Sequence, residues 1–356
     1  MTVFLVIIVL ALLAVTGWQM SKIFQLSKGP GAESPEIAND NDNRQQAKLM
    51  LWFMVFIYVG MAYSFWHWSR FYLPEAASVH GNQVDTLMFI SIGLIMVVQV
   101  ITQALLHWFA YKYQGKKGQR ALFFADNDKL EFIWTIIPVI TLAGLIIYGL
   151  FTWSDIMNIS EDDDPIVIEL YAKQFSWQAR YSGEDNTLGE ANVRFIEGVN
   201  TVGLNVNDPY AADDKITTEL HLPVGRQILF KFRSQDVLHS AYFPHFRAQM
   251  NVVPGMITQF SFTPDITTEE MRTSEYMVDK VKTINEIRKE RNEVLMAEGE
   301  APLDSYEFDY FLLCNKICGT AHYNMQMKIV VESQEEYNEW LSQQDTFASV
   351  IDSVVE

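Results

Sequence analysis

Apolar residues are unevenly spread along the chain. Four stretches carry no charged side chain: Thr2–Ser21, Leu49–Ser69, Thr86–Tyr111 and Phe132–Ser154. Each has about 20 residues or more, enough for a helix to cross a hydrocarbon core of roughly 30 Å. Buried helices of a water-soluble domain would need amphipathic partners to cover them, and this part of the chain has none. The pattern predicts four transmembrane helices.

Past the acidic run Glu161–Pro165 the period changes. Short runs rich in branched and aromatic residues predict strands at Ile166–Tyr171, Thr217–Leu222, Gln227–Arg233, Ile257–Thr263, Tyr306–Leu313 and Gln326–Glu332. Turn signals such as Pro223–Gly225 and Pro254–Gly255 separate them. Strands of this length predict a β-sandwich or barrel. One charged segment, Thr267–Glu300, has Met277, Val281, Ile284 and Ile287 at helical spacing and reads as a helical insertion. Asn186–Lys215 reads as a long loop.

Charge sharpens this division. The 356 residues have a net charge of −18 and a mean hydropathy of +0.03. Residues 1–153 carry +1 and residues 154–356 carry −19. An acidic chain lacks the basic surface that nucleic-acid binding requires. An aromatic content of 13% is too high for a disordered chain. Basic residues cluster in Lys22–Lys48 and Lys112–Lys129, whereas Arg70–Asp85 carries only Arg70. Basic loops stay in the cytoplasm, so the N-terminus and the acidic half are expected outside. A cleaved signal peptide over Thr2–Met20 is disfavoured: no Lys or Arg precedes the apolar run, and cleavage would invert the loop rule.

The chemistry concentrates in Cys314–Met325, CNKICGTAHYNM, which holds both cysteines of the protein. Cys314, Cys318, His322 and Met325 offer thiolate, imidazole and thioether, ligands that suit copper better than magnesium or calcium. A disulfide would close a very tight loop and leave His322 and Met325 unexplained. Structural zinc sites rarely use Met. A second histidine is needed; His239, in SQDVLHSAYFPHF, stands out, with His221 and His245 as competitors.

DVLHS, VPGMITQFSFTP and CxxxCGxxHxxM in this order resemble subunit II of haem–copper cytochrome c oxidase. LEFIWTIIPVITL (Leu130–Leu142) resembles the start of that family's second membrane helix, and KQFSWQARY (Lys173–Tyr181) its first strand region. The resemblance covers roughly residues 84–340. It implies a membrane-anchored α + β chain: four N-terminal transmembrane helices, then a cupredoxin-like antiparallel β-barrel or sandwich. Two additional helices would occupy 1–69, the family's hairpin 70–154, and a periplasmic domain 155–356 with an insertion at about 267–300. It implies a dinuclear CuA centre bridged by Cys314 and Cys318. His239 and His322 would each bind one copper, Met325 would be a weak axial ligand, and Lys316 would give its backbone carbonyl.

The implied role is to take electrons from cytochrome c, or a cytochrome c domain, and pass them to the haem of subunit I. Oxygen is reduced there, beside CuB, and protons are pumped; subunit III completes the set. In the family a glutamate often stands at Lys316 and reaches a magnesium site; lysine argues against that contact. Phe175 stands where a tryptophan often receives the electron, and Trp177 is close by. Glu131 matches an acid at the mouth of a proton-uptake path. Asp236 is a candidate docking carboxylate for a basic cytochrome. The extra helices and the insertion read as surfaces for further partners, a quinol-oxidising complex among them. The expected location is a bacterial inner membrane. Competing readings are a nitric oxide reductase subunit, a quinol oxidase subunit and a copper carrier.

Overall fold

The computed structural model describes residues 2–28, 40–157 and 164–355. Residues 161–163 of the acidic run, and the side chains of 1–7, fall outside the described set. The chain divides into two compact units: residues 1–70 with 94–131, and residues 71–93 with 132–356.

The membrane part has four helices: α1 (Thr2–Lys28), α2 (Asp40–Trp68), α3 (Val79–Lys112) and α4 (Asp128–Met157). Among the described residues α2, α3 and α4 are long and apolar enough to cross a membrane; within α1 a shorter apolar stretch, Ile8–Ser21, qualifies by composition only. In the first unit α2 runs antiparallel to α3. The Tyr58 hydroxyl donates to the Val100 carbonyl, the Phe53 and His107 rings lie 6.0 Å apart, and Asn43 donates to the Gly115 carbonyl at 3.1 Å. Asn127 caps α4 by accepting from the Leu130 N–H at 3.1 Å.

The second unit is dominated by two five-stranded sheets. Their strands are β1 (Ile166–Lys173), β2 (Ser176–Tyr181), β3 (Lys215–Thr217), β4 (Leu220–Pro223), β5 (Ile228–Ser234), β6 (His239–Phe243), β7 (Ala248–Val252), β8 (Thr258–Phe262), β9 (Tyr310–Cys314) and β10 (Gln326–Glu332). One sheet has the order β3-β2-β1-β5-β8, the other β4-β10-β9-β6-β7. Side chains from both sheets, including Leu170, Phe230, Phe243, Phe262, Tyr310 and Leu312, are buried together. This is a β-sandwich. The sheets are mixed, correcting the antiparallel expectation: β1 pairs in parallel with β5, and β10 with β4. Each parallel pair is joined by chain that visits the other sheet, the crossover that parallel neighbours require.

The predicted strand Thr217–Leu222 is two strands, β3 and β4, which belong to different sheets. The insertion is two helices, α5 (Thr268–Thr273) and α6 (Glu275–Glu298). Thr267 and Glu270 form a reciprocal capping box on α5; Ser274 ends α5 and caps α6 by accepting from the Met277 N–H. Gly299, at φ 77°, closes α6 in the left-handed conformation. Two short helices, α7 (Gln334–Ser342) and α8 (Phe347–Val355), finish the chain.

Two polar clusters tie irregular chain to the sandwich. Arg180 and Arg233 both reach Glu169, and Arg180 also reaches Asp214 and the Gly189 carbonyl, anchoring both ends of the 186–215 loop. Arg247 grips Asp85 of α3 through two nitrogens at 2.7 and 2.8 Å, and donates to the Pro74 carbonyl. The segment leading into α3 is thus fixed to the β6–β7 turn, at the opposite end of β6 from His239.

Candidate metal centre

His239 opens β6 and Cys314 closes β9. These strands pair antiparallel, with Ala241 opposite Cys314, so the two ligand candidates lie at one end of one sheet. The chain then leaves the sheet and returns as β10. The Cys314 N–H donates to the Met325 carbonyl and the Asn315 N–H to the Ser240 carbonyl, closing residues 315–325 into a compact loop. Folding that loop brings Cys318, His322 and Met325 over the end of β6.

The donor atoms form one cluster. Cys314 Sγ lies 3.8 Å from His239 Nδ1, 3.8 Å from Cys318 Sγ and 3.3 Å from the Lys316 carbonyl oxygen. Cys318 Sγ lies 3.7 Å from His322 Nδ1 and 3.8 Å from Met325 Sδ. The two thiols are free cysteines. His239 is fully buried, Cys318 and Met325 nearly so, and Cys314 is half-buried. Each histidine turns the same ring atom, Nδ1, toward a sulfur.

Asp236 fixes that orientation for His239. Its Oδ1 accepts from His239 Nε2 at 2.9 Å, which leaves Nδ1 available as a ligand. Its other oxygen accepts the Gln174 N–H at 2.7 Å. Burial works against the Asp236 charge, but the hydrogen bonds from His239, Gln174 and Val237 outweigh it and hold the carboxyl below its usual range. The Cys318 thiol goes the other way: burial, then the neighbouring Cys314, push it up to about 11. A bound cation reverses that preference, so metal loading must release protons here. The donor set is soft, convergent and largely shielded, and it fits copper.

The other residues singled out in the sequence fall in distinct places. The Trp177 ring is buried 6.2 Å from the His239 ring. Phe175 is half-buried and packs over the ligand loop at Gly319. Lys316 projects its side chain into solvent. Glu131 is exposed in the first turn of α4, where a carboxylate also suits the helix dipole. His221 is bound instead to Glu332 at 2.8 Å and stacked on Trp340 at 3.9 Å. His245 is buried against Phe308 and Tyr310. Neither competitor joins the cluster.

Two supporting residues were missed from the sequence. Gln174 donates its side-chain amide to the Cys318 carbonyl at 2.5 Å. Gly319, at φ 143°, lets Phe175 approach: a Cβ there would sit 2.8 Å from the ring. The glycine after Cys318 in the motif carried the second signal; nothing local marked Gln174.

Helices long and apolar enough to cross a membrane, followed by a β-sandwich whose thiols, imidazoles and thioether are compatible with a copper site, define the class of a membrane-anchored subunit. Residues 66–151 match the family "Cytochrome C oxidase subunit II, transmembrane domain". Over 292 residues, 81% of this chain and 87% of the relative, the sequence is 30% identical to the alternative cytochrome c oxidase subunit 2 of Bradyrhizobium diazoefficiens. It is 23% identical over 270 residues to the quinol oxidase subunit 2 of Bacillus spizizenii, covering 72% of this chain and 75% of that protein. Among solved structures, a chain of a haem-copper terminal oxidase dimer is 15% identical with a TM-score of 0.30, covering 58% of this chain and 99% of that one. The chain belongs to the cytochrome c oxidase subunit II family and is a subunit of a haem-copper terminal oxidase.

Proposed function

We propose that this chain is the electron-accepting subunit of a cytochrome c oxidase. Residues 1–69 form two additional transmembrane helices, 70–154 a transmembrane hairpin, and 155–356 a periplasmic domain, with the N-terminus on the same side. The observation that carries the reading is the unbroken series of donor contacts from His239 through Cys314 and Cys318 to His322 and Met325. Two thiols 3.8 Å apart, each facing one imidazole, suit a pair of coppers bridged by sulfur better than a single ion. Copper held by His239, Cys314, Cys318, His322 and Met325 would supply reversible one-electron chemistry.

The chain's own residues do the rest. The Lys316 carbonyl completes the set on the Cys314 side, while its ammonium disfavours a magnesium contact. Phe175 is the better receiving point for electrons, since it borders both the ligand loop and solvent; Trp177 packs inside, against His239. We assign Asp236 to holding His239 rather than to docking, because its oxygens are already engaged. The docking charge comes instead from the wider acidic surface, which attracts a basic cytochrome and speeds encounter. Glu131 marks the cytoplasmic mouth of a proton path in subunit I, at the start of α4.

Quinol oxidase subunits share the family. The full donor cluster favours the metal-bearing branch. The test is spectroscopy of the copper-loaded protein. A mixed-valence signal with one electron shared over two coppers supports the centre, and Cys318→Ser should abolish it while Lys316→Ala leaves most of it. A mononuclear signal, or no copper uptake, overturns the reading. Turnover with soluble cytochrome c should fall as ionic strength rises; a flat salt profile removes electrostatic docking.

A further inference from the structure

Between α3 and α4 the chain carries three consecutive large apolar residues in full exposure. Leu122 is 86% exposed, Phe123 91% and Phe124 78%. No other residues of residues 94–131 cover them. A run of this kind at a water-facing surface marks a contact with something apolar.

We infer that Leu122–Phe124 is an interfacial anchor that dips into the acyl boundary of the cytoplasmic leaflet. Three observations argue for a lipid surface as the occupant. The first is reach. Phe124 lies four Cα steps before Asp128, where α4 starts, a span of at most ~14 Å at full extension. The segment is therefore held close to the plane where a spanning helix enters the membrane.

The second is charge. Lys112, Lys116, Lys117 and Arg120 precede the run, and although Asp126, Asp128 and Glu131 accompany Lys129 after it, the basic charge is concentrated on the preceding side. Basic side chains beside an apolar tip complement an anionic leaflet, the pairing that holds peripheral segments on a membrane. The third is the placement of aromatic residues that favour headgroup depth. Tyr113, 70% exposed, directly follows α3, and Trp134, 57% exposed, lies in the second turn of α4. They bracket the loop at both ends.

The backbone limits the depth. Residues 121–127 have no helix or strand, and irregular chain cannot place its N–H and C=O groups in hydrocarbon. Only the side chains enter, with the backbone remaining among headgroups.

Spin labelling at Phe123→Cys in the assembled oxidase, reconstituted in nanodiscs containing anionic lipid, tests this. Gln119→Cys serves as the solvent reference, and the unsubstituted copper-loaded protein as the labelling blank. Lipid contact predicts high accessibility to oxygen and loss of accessibility to a water-soluble nickel chelate at 123, with the reverse at 119. Replacing the anionic lipid by a zwitterionic one should shift the label toward water. High nickel accessibility at 123 would mean a solvated loop and overturn the proposal. Low accessibility to both reagents would mean that another subunit covers the segment, and would overturn it equally.

Discussion

Asp236 Oδ1 and His239 Nε2 meet at 2.9 Å, and this contact decides which nitrogen of His239 faces the thiols. The carboxylate is itself held by the Gln174 and Val237 N–H groups. Asp236→Ala should therefore weaken copper binding by about 10–100-fold, the usual range for a partner that orients a ligand. Asp236→Asn, which can still accept a hydrogen bond, should lose less. Competition with a copper chelator reads the affinity. An Ala variant with unchanged affinity and spectrum would remove the positioning role.

Gly319 sits where a side chain cannot. Its φ is 143°, and a Cβ would lie 2.8 Å from two ring atoms of Phe175 and 2.9 Å from Gln174 Nε2. Gly319→Ala should destabilise the outer domain by about 1–3 kcal/mol, the cost of overpacking a filled site. It should also speed loss of copper, because the loop carries Cys318 and His322. Adding Phe175→Leu should recover part of the stability. If chemical denaturation shows no loss in the single variant, the loop is softer than this packing implies.

The separation of membrane and outer parts was legible because charge and apolar periodicity change together near residue 160. The ligand loop was legible because Cys314, Cys318, His322 and Met325 share twelve residues, while His239 was identified by its resemblance to a known motif. β6 and β7 were not predicted. β6, HSAYF, is nearly all buried, so no alternation shows, and β7, AQMNV, alternates over only five residues and, Val252 aside, lacks the branched and aromatic residues that mark a strand. The split between β3 and β4 was hidden because Thr218 and Glu219 read as strand-like, although the chain there crosses between sheets. In the sequence Asp236 reads as a docking carboxylate for a basic cytochrome; its contact with His239 becomes visible only when the turn before β6 is folded. The break of the insertion at Ser274 was available locally, since serine followed by Glu275 is an ordinary helix start.

His245 should limit stability in acid. Burial, with Lys280 and Arg247 nearby, lowers its pKa to about 3 from an ordinary 6.5. A depressed folded-state value means that the unfolded chain binds the proton first. Stability is then intact above about pH 6.5 and declines as pH falls toward 3. At pH 5 the loss is on the order of 2 kcal/mol. His245→Asn should flatten the acid limb of the denaturation profile between pH 6.5 and 4. An unchanged slope would assign acid sensitivity to other groups.

Asp214 acts with the opposite sign. It is fully buried, and burial raises its carboxyl to about 7, even though Arg180 and the Gly189 N–H favour the anion. Here the folded chain holds the proton more tightly than the unfolded one. The contribution is complete below about pH 4 and is lost as pH rises through about 7. Asp214 anchors one end of the 186–215 loop, so ionisation should loosen that loop before the sandwich itself. Asp214→Asn keeps the shape and cannot ionise. It should remove the decline in stability between pH 5 and pH 8, while costing part of the Arg180 contact at every pH. Hydrogen exchange of the loop amides, followed across that range in both proteins, separates the two effects. A wild-type loop whose protection stays constant from pH 5 to 8 would show that Arg180 holds Asp214 ionised throughout.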